Sequence, residues 1–208
     1  MKRFGASWKD RFRVPRPLRA FRRAYALRVR GVSCPEPLLA ASDARGRGVY
    51  VAALAGSDAG GALDLDRAAR GDGGGPSALS QLSPRSRRRA LERLGRFLRR
   101  MHDAEVVHRD LKAPNLVAWD GPRGASFAVV DLEGAHVARG RVPWARRARD
   151  LARLDASLGS PPVSRADRLR VLRGYFAAWE RAPVSRGDFA RRVAFASARK
   201  RAPSGRPR

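Results

Sequence analysis

His108-Arg109-Asp110-Leu111-Lys112-Ala113-Pro114-Asn115 is the stretch on which the reading of this chain turns, together with Asp131, sixteen residues past its Asn. Phosphoryl transfer needs a carboxylate to receive the proton of the attacking hydroxyl, a cation near the transferred phosphate, and oxygen ligands for Mg2+ from two separate segments. Asp110 can be the base, Lys112 the cation, and Asn115 with Asp131 the metal ligands. Leu116–Trp119 and Phe127–Leu132 read as short strands around Asp120-Gly121-Pro122-Arg123-Gly124, a hairpin signal. Such a hairpin returns Asp131 to the neighbourhood of Asn115. His108 is expected to brace the loop rather than to transfer protons.

The eight residues match the H-R-D-L-x-x-x-N loop of protein kinases, whose metal-binding Asp then follows in D-F-G. The surroundings agree. Ser83-Pro84 is a capping serine with proline in the first turn, and the helix it opens carries Leu91, Leu94, Leu98 and Met101 as a buried stripe up to about His102. His102 reads as a packing residue and His136 as surface. Two departures change the expected substrate. Asp131 is followed by Leu132-Glu133-Gly134, and no A-P-E-like triplet comes after it. Fifteen residues separate Asp131 from the helix expected near Arg146. That is short for an activation loop that holds a peptide, and it suits a small or carbohydrate acceptor.

The 208 residues suffice for one ordinary domain with a real core, and 43% hydrophobic against 31% charged is a globular balance. The net charge is +26, yet only Lys2, Lys9, Lys112 and Lys200 are lysines among 45 basic residues. Arginine bias of this kind, with abundant Ala and Gly, weakens charge as a pointer to nucleic acid. No nucleic-acid module or regular aromatic interleaving is present. The charge is also uneven. Residues 1–30 hold eleven basic side chains against one acid and residues 161–208 thirteen against three, while residues 109–135 hold three against four. The basic periphery suits an anionic membrane or glycolipid around a near-neutral catalytic segment. One cysteine, Cys34, excludes an internal disulfide or a cysteine-built zinc site. No apolar run approaches the roughly 20 residues of a membrane span, and the start lacks a secretory h-region. The expectation is a cytoplasmic protein, soluble or peripheral on a membrane.

Before the loop, Pro17 opens a helix to about Arg30 with Leu18, Phe21 and Tyr25 on one face, and Gly31 stops it. Leu38–Ala41 and Val49–Leu54 read as strands. Gly60–Gly61 and Gly71–Gly75 mark a linker without periodicity. Residues 146–158, 165–180 and 187–200 read as helices, and the tail from Arg201 as disordered.

These segments resemble the bacterial lipopolysaccharide kinases, the Kdo and core-heptose kinase group. Lys2-Arg3-Phe4 is similar to the family's lysine strand, and Gly31-Val32-Ser33-Cys34-Pro35-Glu36-Pro37-Leu38 to its turn after the helix. His108–Asn115 matches its catalytic loop, Asp131-Leu132-Glu133-Gly134 its D-L-[DE]-G segment, and Arg149-Asp150-Leu151-Ala152-Arg153-Leu154 its R-D-L-x-R-L helix. The resemblance implies an α+β, protein-kinase-like fold of two lobes. Residues 1–54 would form a truncated small lobe, 55–77 the hinge and Gly-rich linker, 78–200 a mainly helical large lobe, and 201–208 a basic tail. It implies ATP-dependent phosphorylation of a sugar hydroxyl of lipopolysaccharide core or a similar envelope glycan, at the cytoplasmic face of the inner membrane. Lys2 would bind the nucleotide, and Asp150 would hold backbone amides of the catalytic loop.

Two features pull the other way. Only Met1 precedes Lys2, so the Gly-rich phosphate loop expected before the lysine strand is missing from this sequence, through either a misplaced start or a truncation. The helix from Pro17 to Arg30 has no acid to pair with Lys2 in the position protein kinases use. Lys9 is a poor substitute for Lys2. A protein Ser/Thr kinase, a catalytically impaired pseudokinase or binding module, and a nucleic-acid binder are the rival readings.

Overall fold

Helix α1, Arg16–Val29, starts where Pro15 and Pro17 preset φ and need no backbone donor, and it ends before Gly31, whose φ of 69° turns the chain out. The structure, a computed structural model, describes residues 1–5, 14–45, 47–54, 62–70, 81–158, 163–178 and 184–201. Lys9, Gly60–Gly61, Gly71–Gly75 and the tail past Arg201 lie outside them. The buried face of α1 is Pro17, Ala20, Ala24 and Leu27. It is not the expected Leu18–Phe21–Tyr25 stripe, for Tyr25 is 62% exposed and Phe21 only half-buried. The alanines face the neighbouring strands because a short side chain lets the helix backbone come close to the sheet. A search for large apolar residues at helical spacing overlooks such a face.

Strands β1 (Lys2–Phe4), β2 (Glu36–Ser42) and β3 (Gly48–Ala53) form an antiparallel sheet in the order β1-β3-β2. Lys2 pairs with Tyr50 and Phe4 with Gly48. The register of β2 slips between Pro37 and Leu39, where proline has no N–H to donate to the ladder.

The stretch 55–77, expected to be linker, contains strand β4 (Leu63–Asp64) and helix α2 (Leu65–Arg70). Leu65, Ala68 and Ala69 of α2 are buried, and β4 pairs with the strand Leu116–Gly121. Two strand residues and a six-residue helix are too few to show a period in sequence, and packing rather than propensity supports them.

Helix α3 (Pro84–Asp103) is the spine of the helical part. The Ser83 hydroxyl accepts from the Ser86 backbone N–H at 3.3 Å, and Leu91, Leu94, Leu98 and Met101 are all buried as expected. Helix α5 (Arg165–Tyr175), opened by a Ser164/Asp167 capping box, lies across it. The contact is close because both helices present glycine. A Cβ on Gly95 would overlap the Val171 carbonyl, and one on Gly174 the Glu92 carbonyl. Arg87 of α3 closes the crossing with a 2.9 Å ion pair to the buried Asp167, whose carboxyl lies well below the usual range because Arg87 and Ser164 outweigh the burial. Gly95→Val is expected to cost about 3 kcal/mol in a urea melt, because the groups it meets are backbone and cannot swing aside. Helix α5 stops at Tyr175, short of the expected residue 180, and a 3-10 turn runs over Phe176–Ala178.

Strands β6 (Leu116–Gly121) and β7 (Gly124–Val129) make the expected hairpin around Pro122-Arg123. Strands β5 (Val106–His108) and β8 (Ala135–Val137) form a further antiparallel pair that is too short to read in sequence. Helices α4 (Trp144–Ser157) and α6 (Arg186–Arg201) complete the helical layer, where Tyr175 and Phe189 stack at 5.6 Å. Among the described residues no helix is long and apolar enough to cross a membrane.

Candidate active site

Two strand pairings assemble the loop. His108 ends β5 opposite Ala135 of β8, and the Arg109 N–H donates to the Gly134 carbonyl at 2.8 Å. The chain then turns through a 3-10 segment, Ala113–Asn115, into β6, where Leu116 lies opposite Val129. The Val130 N–H donates to the Asn115 carbonyl at 2.9 Å. Thus the loop and the Asp131–Gly134 segment are tied at both ends, and the hairpin returns Asp131 as its spacing demands. Strand β7 stops at Val129, two residues before Asp131. Asp131 itself has φ 51°, in the left-handed region that a non-glycine residue enters at a cost and that clusters at functional sites.

On the loop, Lys112 Nζ lies 2.8 Å from Asp110 Oδ2. The Asn115 side-chain amide donates to the Asp110 carbonyl at 2.8 Å and to Oδ2 at 3.2 Å. The Lys112 hydrogen bond and charge outweigh the slight burial of Asp110 and hold its carboxyl below the ordinary range, while Asp110 in turn raises Lys112. A carboxylate with a depressed pKa keeps its charge down to lower pH. Asp110 and Lys112 are therefore both charged throughout the neutral range, and the acid limb of any rate profile carried by Asp110 lies below the usual carboxylate pKa.

Lys2 lies at the second half of the site. Its Nζ is 2.7 Å from Asp131 Oδ1 and 2.9 Å from Glu133 Oε1. Burial would lower the Lys2 pKa, but the hydrogen bonds and charges of these two acids win and raise it. The acid missing from α1 is therefore supplied by Glu133. Helix α1 contributes cations in its place. Arg16 pairs with Glu133 at 3.0 Å, and Arg23 donates to the carbonyls of Leu132 (3.3 Å) and Glu133 (2.6 Å). A cleft of about 220 Å3 opens here, lined by Lys2, Phe4, Tyr50, Asp131 and Glu133 among others. Glu133, Arg16 and Arg23 are the residues that sequence reasoning missed. Glu133 lies in the Asp131–Gly134 segment, but nothing in its spacing points to Lys2 as its partner.

Buried polar groups hold the loop from behind. The His108 backbone N–H donates to Asp150 Oδ2 at 3.3 Å, and Arg153 reaches Oδ1 of the same fully buried carboxylate at 2.9 Å. Burial pushes the His108 pKa down, so the ring is neutral and its Nε2–H donates to the Asp131 carbonyl at 3.1 Å. Gly134 is required beneath it, since a Cβ there would stand 2.9 Å from His108 Cε1. Ser157 of α4 accepts from the Ala113 N–H at 2.8 Å. His102 is a packing residue as expected, with Nδ1 2.8 Å from the Tyr175 hydroxyl.

Among the described residues no cluster of three or more His, Cys, Asp or Glu could enclose a metal. Mg2+ does not require such a cluster, since one or two protein oxygens with phosphate oxygens and water suffice. Asn115 spends its amide nitrogen on Asp110 and keeps Oδ1 for a cation, and Asp131 offers its carboxylate from the adjoining segment. The donor set fits.

A sheet with its lysine at one strand, a helical unit, and an Asp-Lys-Asn loop tied to a second Asp define a kinase. The chain belongs to the lipopolysaccharide kinase (Kdo/WaaP) family, whose model matches residues 1–175. It is therefore an ATP-using phosphotransferase acting on lipopolysaccharide sugar. The solved structure of WaaP in complex with acyl carrier protein is similar, with a TM-score of 0.60 over 89% of this chain and 75% of that one. At 24% identity that likeness shows the shared fold. No curated protein matches the chain.

Proposed function

We propose that Asp110 is the catalytic base of phosphoryl transfer from ATP to a hydroxyl of the lipopolysaccharide core. Its carboxylate takes the hydroxyl proton, and Lys112, now paired with it, moves to or shares the γ-phosphate. Asn115 and Asp131 would hold Mg2+, which neutralises phosphate charge when bound. Lys2 is the nucleotide ligand, kept in place by Glu133 and, through Arg16 and Arg23, by α1. His108 and Asp150 are positioning residues. The nucleotide would lie between a small lobe over residues 1–54 and a large lobe over 78–200, with the hinge in 55–77. The single observation supporting this most is that the Asp110–Lys112–Asn115 network and the Lys2–Asp131–Glu133 network meet through the Val130–Asn115 backbone bond. The basic surface favours a peripheral position on the cytoplasmic face of the membrane that carries the acceptor.

Incubation with labelled ATP tests the assignment. Label is expected on lipopolysaccharide and not on a generic basic peptide, and a chelator should remove the transfer. Equal labelling of the peptide would move the protein to the protein-kinase reading. Glu133→Gln is expected to raise the KM for ATP by about tenfold, the worth of one charge-assisted hydrogen bond, with a smaller change in kcat. An unchanged KM would show that Glu133 does not position Lys2.

A further inference from the structure

Helix α3 carries a second set of cations that the phosphotransfer site does not use. A cleft of about 610 Å3 opens between α3, the tip of the β6–β7 hairpin and the α1–β2 turn at Ser33. Arg93, Arg96 and Arg100 line it from α3 at spacings of three and four, hence from one side of the helix, and Arg123 lines it from the hairpin tip. A neighbouring cleft of about 250 Å3 shares Arg93, Arg123 and Trp119 and adds Arg89. The Arg93 guanidinium carbon lies 3.7 Å from where a Cβ on Gly124 would stand, so this side chain spans from the helix to the hairpin.

Among the described residues these five guanidiniums make no ion pair, and Asp120 is the one acid that lines either cleft. The compensated arginines of the same helix, Arg87 with Asp167 at 2.9 Å, Arg88 with Glu92 at 3.1 Å and Arg99 with Asp103 at 2.6 Å, line neither cleft, whereas four of its five arginines without an ion pair do. Like charges at helical spacing destabilise a helix, so an uncompensated row facing a concavity marks a place where an anion brings the balancing charge. The floor is Phe97, Met101 and Phe127, firm and apolar, and no lining residue belongs to the two networks of the phosphotransfer site.

We infer that this cleft binds a pyrophosphate- or bisphosphate-bearing group. Guanidinium forks match phosphate oxygens bidentately, and the four that line this cleft carry more positive charge than a single carboxylate balances. The concave shape suits a discrete group rather than a flat charged surface. The group can sit on a lipid headgroup or be soluble, and the shared chemistry is the phosphate.

Titration of the full chain with inorganic tripolyphosphate, read through Trp119 fluorescence and absent from a Trp119→Phe variant, is expected to saturate. Arg93→Gln/Arg96→Gln/Arg100→Gln should weaken it by at least about tenfold. Arg186→Gln/Arg192→Gln/Lys200→Gln, which removes the same charge from α6, should change it by less than about threefold. Arg123→Gln alone, on the exposed hairpin tip, should move the constant in the same direction as the α3 variant and keeps the test valid if that variant fails to fold. Flotation with vesicles containing cardiolipin, whose headgroup carries two phosphates, against phosphatidylcholine alone, separates the sources: capture lost in the α3 variant identifies a lipid headgroup, and tripolyphosphate binding without capture identifies a soluble ligand. Equal weakening by the α6 variant, or no saturable signal, overturns the inference. So does tighter, steeply salt-dependent binding of an oligothymidylate through the same arginines, which would assign the cleft to nucleic acid.

Discussion

Asp110→Ala is expected to lower the rate of phosphate transfer by about a thousandfold, with little change in thermal midpoint. The two readouts separate because of where Asp110 sits. Its side chain is about half exposed, its partner Lys112 reaches water without it, and the buried Asn115 amide keeps its bond to the Asp110 backbone carbonyl. Losing the carboxylate therefore removes the proton acceptor without opening the core. Asp110→Asn is the more searching variant. It preserves the shape and an oxygen for Asn115 but cannot take a proton, so a loss as large as that of the alanine variant assigns the role to basicity. Transfer by Asp110→Asn at near the natural rate would show that Asp110 only holds Lys112 and Asn115. Because Lys112 keeps the Asp110 pKa depressed, the natural protein should show no acid limb from this group in the neutral range. In Lys112→Met the limb should move upward toward the ordinary carboxylate value, as measured by kcat/KM against pH.

Asp150→Ala is expected to be the costliest single change to stability, about 3–5 kcal/mol, with transfer lost as well. Asp150 is fully buried and accepts from the His108 backbone and from Arg153, and His102 Nε2 stands 3.7 Å from it. Removing it leaves a buried N–H and a guanidinium without their acceptor at the base of the catalytic loop. Asp150→Asn retains an acceptor oxygen and should lose less in both measures. A chemical melt gives the stability term. A full-rate Asp150→Ala protein with an unchanged melt would deny that the loop hangs from this residue.

What could be read in the sequence follows the range of the interactions. His108–Asn115 and Asp131 were legible because their chemistry and spacing are local, and the turn Asp120–Gly124 announced the hairpin that reunites them. Helix α3 was legible because its stripe of large apolar residues and its Ser83-Pro84 start are both local signals. Three things were not. The buried face of α1 is built from alanines, which carry no contrast in a hydrophobic pattern. Strand β4, helix α2 and the β5–β8 pair are shorter than any period and exist through long-range pairing. The Lys2–Glu133 pair joins residues 131 positions apart, and only the fold brings them to 2.9 Å. The same reasoning explains the Arg93–Arg123 cleft. A run of arginines reads as solvated surface until the hairpin is seen to lie across it.

If the two networks act as one centre that moves phosphate from ATP to a sugar hydroxyl, mass spectrometry of lipopolysaccharide after incubation with ATP and Mg2+ will show it. One phosphate gained on a core sugar with the natural chain, and none with Asp110→Asn or Asp131→Asn, is the predicted result. Lipopolysaccharide left unmodified while ATP is consumed, or modified equally by all three proteins, would contradict it.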